Sequence, residues 1–319
     1  EIGLGIPAEP LFRSGRPENI KVHFAGIEQF YEASCFHRVG IKYVLFSAYV
    51  DICRILGVYR QGQYFKSNNI WFRNIPKYIE LSYKHSIMDS GIFTLAYSRE
   101  MKDQTNQIDF ESYQDIYVDY IQKKKYQGTV VEVDCQVLAS PELAWKLRKD
   151  LRRKLPDNRI INVFHIEDGR EGLDRLLDFT DYIAFAYSEH RIKRPKTYKE
   201  DIIRLCEYAK LKRPEIDIHI LGCTTDSVIK RLKFCTSCDS ISYRQGLLYG
   251  HVLGHILSKV SYKDRIDYLS MYKNLALQII KDNGDSDIIK GRKILYIIKN
   301  IAYVSQYLKR YESVVGSQN

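Results

Sequence analysis

The sequence predicts a single α/β domain built as a (β/α)8 barrel, followed by a C-terminal helical extension. Three observations predict it. The chain has 319 residues, which suits one barrel of about 250 residues with insertions. Eight short β-branched or aromatic runs alternate with helical patterns, and eight parallel strands close a ring. Polar and acidic residues recur at the carboxyl ends of those runs, where a barrel of the TIM type keeps its site.

The strands are read in order as Lys21–Ala25, Tyr43–Ala48, a third run ending at Asp89, Thr129–Asp134, Ile160–His165, Tyr182–Tyr187, Asp217–Leu221 and Asp239–Tyr243. Between the second and third, the stretch from Gln61 to Tyr83 is long for a loop and reads as an insertion with its own short helix. Phe110, Tyr113, Ile116, Tyr117, Tyr120 and Ile121 form one apolar stripe at helical spacing, closed by Gly128. Ser140 followed by Pro141 is an N-cap with proline at the first helical position, and Leu143, Leu147, Leu151 and Leu155 then repeat every fourth residue. Thr197 and Glu200 have the spacing of a capping box before the apolar face of Ile202, Ile203, Leu205, Cys206 and Ala209. Past residue 246 the alternation stops. Leu253 to Tyr311 reads as two or three helices broken at Asp282–Asp285, so the barrel is assigned to 1–246 and the helical extension packed on it to 247–319.

Composition narrows the function classes. The chain is 45% hydrophobic and 28% charged, an ordinary globular balance. It has no long uncharged apolar run and no leader-like start, so a soluble, cytoplasmic protein without a membrane span is expected. A formal charge of +10 favours a polyanionic partner, and 25 tyrosines and 13 phenylalanines offer surfaces for base stacking. Basic clusters at Lys146–Lys154 and Arg191–Arg213 read as solvated helix faces. Within the second, Arg191, Lys193, Arg194 and Lys196 follow the sixth strand and are the better phosphate candidates. Seven cysteines without regular spacing argue against a disulfide framework. Cys235 and Cys238 form a C-x-x-C without a second pair; Cys223 and His219 could join them, but no metal site is expected.

The strand ends carry the chemistry. Asp89 ends the third run, Asp134 the fourth and His165 the fifth, Leu221 and Gly222 close the seventh, and Asp239 belongs to the eighth. Any one of these aspartates could simply cap the following helix. Three carboxylates converging on one mouth without a metal-ligand set suit glycosyl transfer instead, in which one attacks an anomeric carbon and another moves protons.

These motifs resemble those of the tRNA-guanine transglycosylases. Met88-Asp89-Ser90-Gly91-Ile92-Phe93 is similar to their T-D-S-G-G-F, Asp134-Cys135 to D-E-C, His219 to Thr225 to L-M-G-V-G-T, and Cys238-Asp239-Ser240 to F-D-C. The matches keep the family order and span about residues 85–245. The similarity is closer to the phage- and bacterium-associated relatives that insert 7-deazaguanines into DNA, which share D-S-G-x-F, V-F-H and a late S-x-D-S. The resemblance implies Asp239 as nucleophile at C1′ and Asp89 as general acid/base. It implies Phe93 and Leu221 sandwiching the base, Asp134 accepting from its N–H edge, and His165 and Gly222 beside it. Phe93 and Leu221 also have a packing reading, and His165 could instead be bonded to a neighbouring carboxylate. It further implies DNA and a 7-deazaguanine base as substrates, no cofactor, and cytoplasmic action. Oligomeric state stays open, with a homodimer or a partner protein both compatible. Two departures stand out. No cysteine follows Asp239, so the family's zinc subdomain is absent, and Ile183-Ala184-Phe185-Ala186 replaces the Gly-Gly pair after the sixth strand. Exchange on tRNA and an inactive barrel that only binds nucleic acid are the alternatives.

Overall fold

The computed structural model describes residues 19–26, 30–49, 51–52, 83–92, 108–243, 251–252, 255–256, 273–279, 281 and 292–318. Eight strands close a parallel barrel in chain order: β1 (Lys21–Ala25), β2 (Tyr43–Ser47), β3 (His85–Asp89), β4 (Thr129–Val131), β5 (Ile160–Phe164), β6 (Tyr182–Ala186), β7 (Asp217–Leu221) and β8 (Ser237–Ser240). The seam is β1 against β8, with His23 level with Asp239. The helices around it are α1 (Phe30–Val39), α2 (Phe110–Lys123), α3 (Pro141–Lys154), α4 (Gly169–Phe179), α5 (Tyr187–Lys193), α6 (Tyr198–Lys212) and the short α7 (Asp226–Ile229). The long α8 (Arg292–Val315) follows a two-stranded antiparallel pair, His251–Val252 with His255–Ile256.

Strand alternation sorts the core into two layers. Leu45, Ile87, Val131, Ile161, Val163 and Ala184 pack inside the barrel. Phe24, Phe46, Met88, Phe164, Phe185 and Ile220 pack outside it, under the helices. The interior also holds polar side chains. His23 Nε2 lies 2.8 Å from His85 Nδ1, and His85 Nε2 lies 2.8 Å from Thr129 Oγ1. Burial, reinforced by His219 and Arg159, pushes the His85 pKa down to about 4. Burial, with His85 and His219 nearby, likewise lowers that of His23, so both rings are neutral at neutral pH.

Several expectations need correction. The β8 ladder starts two residues early, at Ser237, so Asp239 sits near its carboxyl end rather than at its start. The ladders of β4 and β5 stop at Val131 and Phe164, short of Asp134 and His165, which lie on the loops beyond. Thr197 and Glu200 do not form a capping box. The Thr197 hydroxyl donates to Asp201 at 2.6 Å, while Glu200 pairs with Arg231. Helix α2 ends at Lys123 and turns through Lys125 at φ 51°, so Gly128 belongs to the approach to β4 instead. Ser140 does cap α3, accepting from the Leu143 N–H at 3.2 Å. The basic face of α3 is not wholly solvated. Arg148 is 3% exposed and grips Glu132 with two bonds of 2.7 Å. The expected insertion at 61–82 and the helix break at 282–285 lie outside the described residues.

Candidate active site

The strand carboxyl ends open into one cavity of about 1050 Å³. Asp89, Asp134, His165, Leu221, Gly222 and Asp239 all line it, as do Arg191 on α5 and Arg310 on α8. Phe93 lies outside the described residues.

Asp89 is held by its backbone neighbours. The Tyr117 hydroxyl donates to Met88 O at 2.9 Å, and the Tyr113 hydroxyl donates to Ser90 O at 2.6 Å. The aromatic stripe on α2 therefore packs the core and also clamps the end of β3 from both sides of Asp89. Ser90 Oγ donates onward to Glu132 O at 2.7 Å. Gly91 follows at φ +85°, where a Cβ would stand 2.3 Å from that of Tyr49, so only glycine lets the chain turn away this closely.

Asp134 is one end of a charge chain. Its Oδ1 accepts from His165 Nε2 at 2.6 Å, and His165 Nδ1 lies 3.2 Å from Glu189 Oε1. Lys193 then bonds both Glu189 and Glu167. Burial alone would lower the His165 pKa, but Asp134 and Glu189 overcome it and raise the value to about 10. Burial would raise that of Glu189, but His165 and Lys193 bring it down to about 2. His165 is thus an imidazolium with each N–H given to a carboxylate. Lys193, one of the phosphate candidates, is paired here with two glutamates. Arg191 is exposed at the cavity, Lys196 is exposed and Arg194 half-buried. His165, Glu167 and Glu189 gather ligand atoms closely enough for a metal ion, but the Lys193 ammonium already supplies a cation to both glutamates.

Asp239 sits on β8 with its side chain 10% exposed. Its Oδ1 accepts from the Gly222 N–H at 2.9 Å and contacts His219 Nε2 at 3.1 Å. Gly222 adopts φ +71°, the turn that aims its N–H at the carboxylate. Gly222, which sequence reasoning placed beside a base, lines the cavity and bonds its N–H to the acid. A C-x-x-C metal set does not assemble. Cys238 faces the outer core, whereas His219 faces the barrel interior and bonds Ser237 and Asp239.

Sequence reasoning missed Glu189 and Arg310 as site residues. Glu189 could have been found from its i,i+4 spacing to Lys193, which reads as a helical ion pair beside a strand end. Arg310, on a helix far along the chain and 3.0 Å from Asp226, left no local signal. No family model matches the chain, and no curated protein matches it either, so the site's geometry and the motifs that build it are what define its chemistry.

Proposed function

We propose that this protein is a base-exchange transglycosylase that replaces guanine in DNA with a 7-deazaguanine, such as the 7-cyano form. The observation that carries the reading is that Asp89, Asp134 and Asp239, from three separate strand ends, line one cavity large enough for a nucleoside. The strand-end motifs resemble the transglycosylases in the same order, and the absence of any cysteine after Asp239 favours the DNA-acting branch over the zinc-bearing tRNA enzymes.

In this reading the target nucleotide leaves the stack, because C1′ of a stacked guanine is shielded by its neighbours. Oδ2 of Asp239, which bonds no group among the described residues, attacks C1′ as the C1′–N9 bond breaks. The bond pair leaves with the purine, and Asp89 gives that nitrogen a proton. The oxocarbenium-like transition state gains from the adjacent carboxylate. The incoming base then loses its N9 proton to Asp89 and attacks C1′, returning the bond pair to Asp239. Asp134 accepts from the N–H edge of the base, and the partly buried Leu221 packs on its face. Arg191, with Arg194 and Lys196, holds the phosphate backbone.

The test is base exchange with labelled guanine on duplex DNA, single-stranded DNA and tRNA, followed by nucleoside analysis. Exchange into DNA, together with an enzyme–DNA adduct that survives denaturation, is expected, and Asp239→Asn abolishes both. Exchange confined to tRNA moves the substrate. Tight, salt-sensitive binding with no turnover on any of them identifies a binding subunit instead. Full activity in Asp239→Asn removes the assigned nucleophile.

A further inference from the structure

The aspartate assigned as nucleophile is not presented by its own strand alone. One of its oxygens is fastened from below by a side chain that reaches up through the barrel. His219 is on β7, two residues before Leu221, and so shares its inward face. It is wholly buried. Its Nε2 lies 3.1 Å from Asp239 Oδ1, and its Nδ1 lies 2.5 Å from Ser237 Oγ. The Ser237 hydroxyl is in turn 2.5 Å from the Tyr182 hydroxyl. We propose that His219 is a positioning residue for Asp239: as the Nε2–H tautomer it joins the Gly222 N–H in fixing Oδ1, which leaves Oδ2 to meet the sugar.

The hydrogen-bond pattern sets the tautomer. A carboxylate oxygen only accepts, so the contact to Asp239 requires the proton on Nε2. In that tautomer Nδ1 accepts from Ser237, and Ser237 can accept from Tyr182. The chain Tyr182–Ser237–His219–Asp239 is satisfied in one direction without an added proton. Around the ring, His23 from β1 stands 6.1 Å away between ring centroids and Tyr182 from β6 stands 6.5 Å away, and the electrostatic influence of His219 lowers the pKa of both His85 and His23. Across the wall, Cys223 and Cys238 lie near Asp239 as buried thiols.

Two donors on one oxygen matter at both stages of the exchange. In the free enzyme they stop the carboxylate from rotating and hold Oδ2 at the cavity. In the glycosyl ester formed through Oδ2, Oδ1 becomes the ester carbonyl oxygen. When the incoming base attacks C1′ and the C1′–Oδ2 bond breaks, the electron pair returns to the carboxylate, and both N–H groups stabilise the charge that develops. This is the logic of fixed donors aimed at developing charge.

The inference rests on the transglycosylase reading, so the experiment separates the two. In single-turnover and steady-state exchange, His219→Leu is expected to lower kcat by about 100-fold or more. KM for the base should change little, and the acid limb of the pH–rate profile should move to higher pH because the carboxylate has lost a donor. His219→Gln, which keeps an N–H near the Nε2 position, should recover most of the rate and the wild-type acid limb. A merely structural histidine would leave that limb in place. The coupling is also read without activity, as the titration of the Asp239 carboxyl carbon by NMR of protein labelled with 13C-aspartate in the wild type and both variants. An unchanged Asp239 titration in folded His219→Leu, or a glutamine variant as impaired as the leucine variant, overturns the positioning role. Failure of the wild type to exchange any base removes the proposed reaction while leaving the NMR coupling to be read on its own.

Discussion

Asp134, His165, Glu189 and Lys193 alternate in charge from the cavity wall outward, and each link fixes the state of the next. The imidazolium holds the Asp134 side chain in place at the cavity wall. The pKa directions make this testable. The His165 value is raised from 6.5 to about 10, so its stabilising contribution is complete below pH 6.5 and is lost as pH rises toward 10. The Glu189 value is lowered from 4.5 to about 2, so its contribution is complete above pH 4.5 and is lost as pH falls toward 2. Urea unfolding of the wild type between pH 6.5 and pH 10 should therefore show a declining midpoint, and His165→Gln should flatten that decline. A His165→Gln protein with the wild-type alkaline slope would show that the proton is held elsewhere. At this scale Asp89 and Asp134 were visible in the sequence as acids that end apolar runs, whereas Asp239 was picked out only by its motif. Of what bonds to them the sequence offered only His165, read alternatively as bonded to a neighbouring carboxylate, and that carboxylate is Asp134. The partner of Asp134 reaches it from the next strand end, and Glu189 hides at the start of a basic run.

Elements were legible where their pattern was apolar and obscure where it was polar. β1 and β7 match their expected bounds because alternating aromatic and aliphatic residues announce them. β8 was displaced because Ser237-Cys238-Asp239-Ser240 looks like a loop. Only closure of the ring makes its inward face polar and its outward face Cys238. The same limit concealed the join between β4 and α3. Glu132 points out of the barrel beneath α3, where it accepts from Arg148, from Asn162 and from the Val163 N–H at 2.8 Å. Arg148 also lies 4.4 Å from the Trp145 ring centre. By helix periodicity Arg148 sits beside Leu147 and Leu151, yet its identity suggested a solvated face. Removing one member of such a buried pair strands the other charge. Arg148→Met should destabilise the fold by about 3–5 kcal/mol in denaturant unfolding, and adding Glu132→Gln should restore part of it. Equal losses in the single and double variants would mean that the stacking on Trp145, not the ion pair, carries the energy.

Across the whole molecule, the C-terminal helix and the residues just past its end brace the barrel as well as covering it. β1 begins to pair with β2 only at Phe24, so among the described residues the lower part of β1 has no strand neighbour on that side. Gln318 supplies one: its Oε1 accepts from the Val22 N–H at 2.8 Å, and its Nε2 donates to Ile20 O at 3.2 Å. Higher up, Tyr311 packs its ring 5.5 Å from Phe24 and donates its hydroxyl to Thr224 at 3.1 Å, while Arg310 reaches the cavity beside Asp226. The last turns of α8 therefore tie the first strand, the loop after β7 and the rim of the cavity together. The sequence placed a helical extension on the barrel, but nothing local to Gln318 marked it as a surrogate strand, because its partners are almost 300 positions away. Gln318→Leu keeps the size of the side chain and leaves a buried N–H and C=O without partners, at a cost of about 1–3 kcal/mol each. If barrel and helix unfold as one cooperative unit, fluorescence and far-UV dichroism should lose stability together in a single transition with an unchanged denaturant slope. An early separate phase, with the barrel's own transition unmoved, would show instead that the extension is only draped over a ring that closes without it.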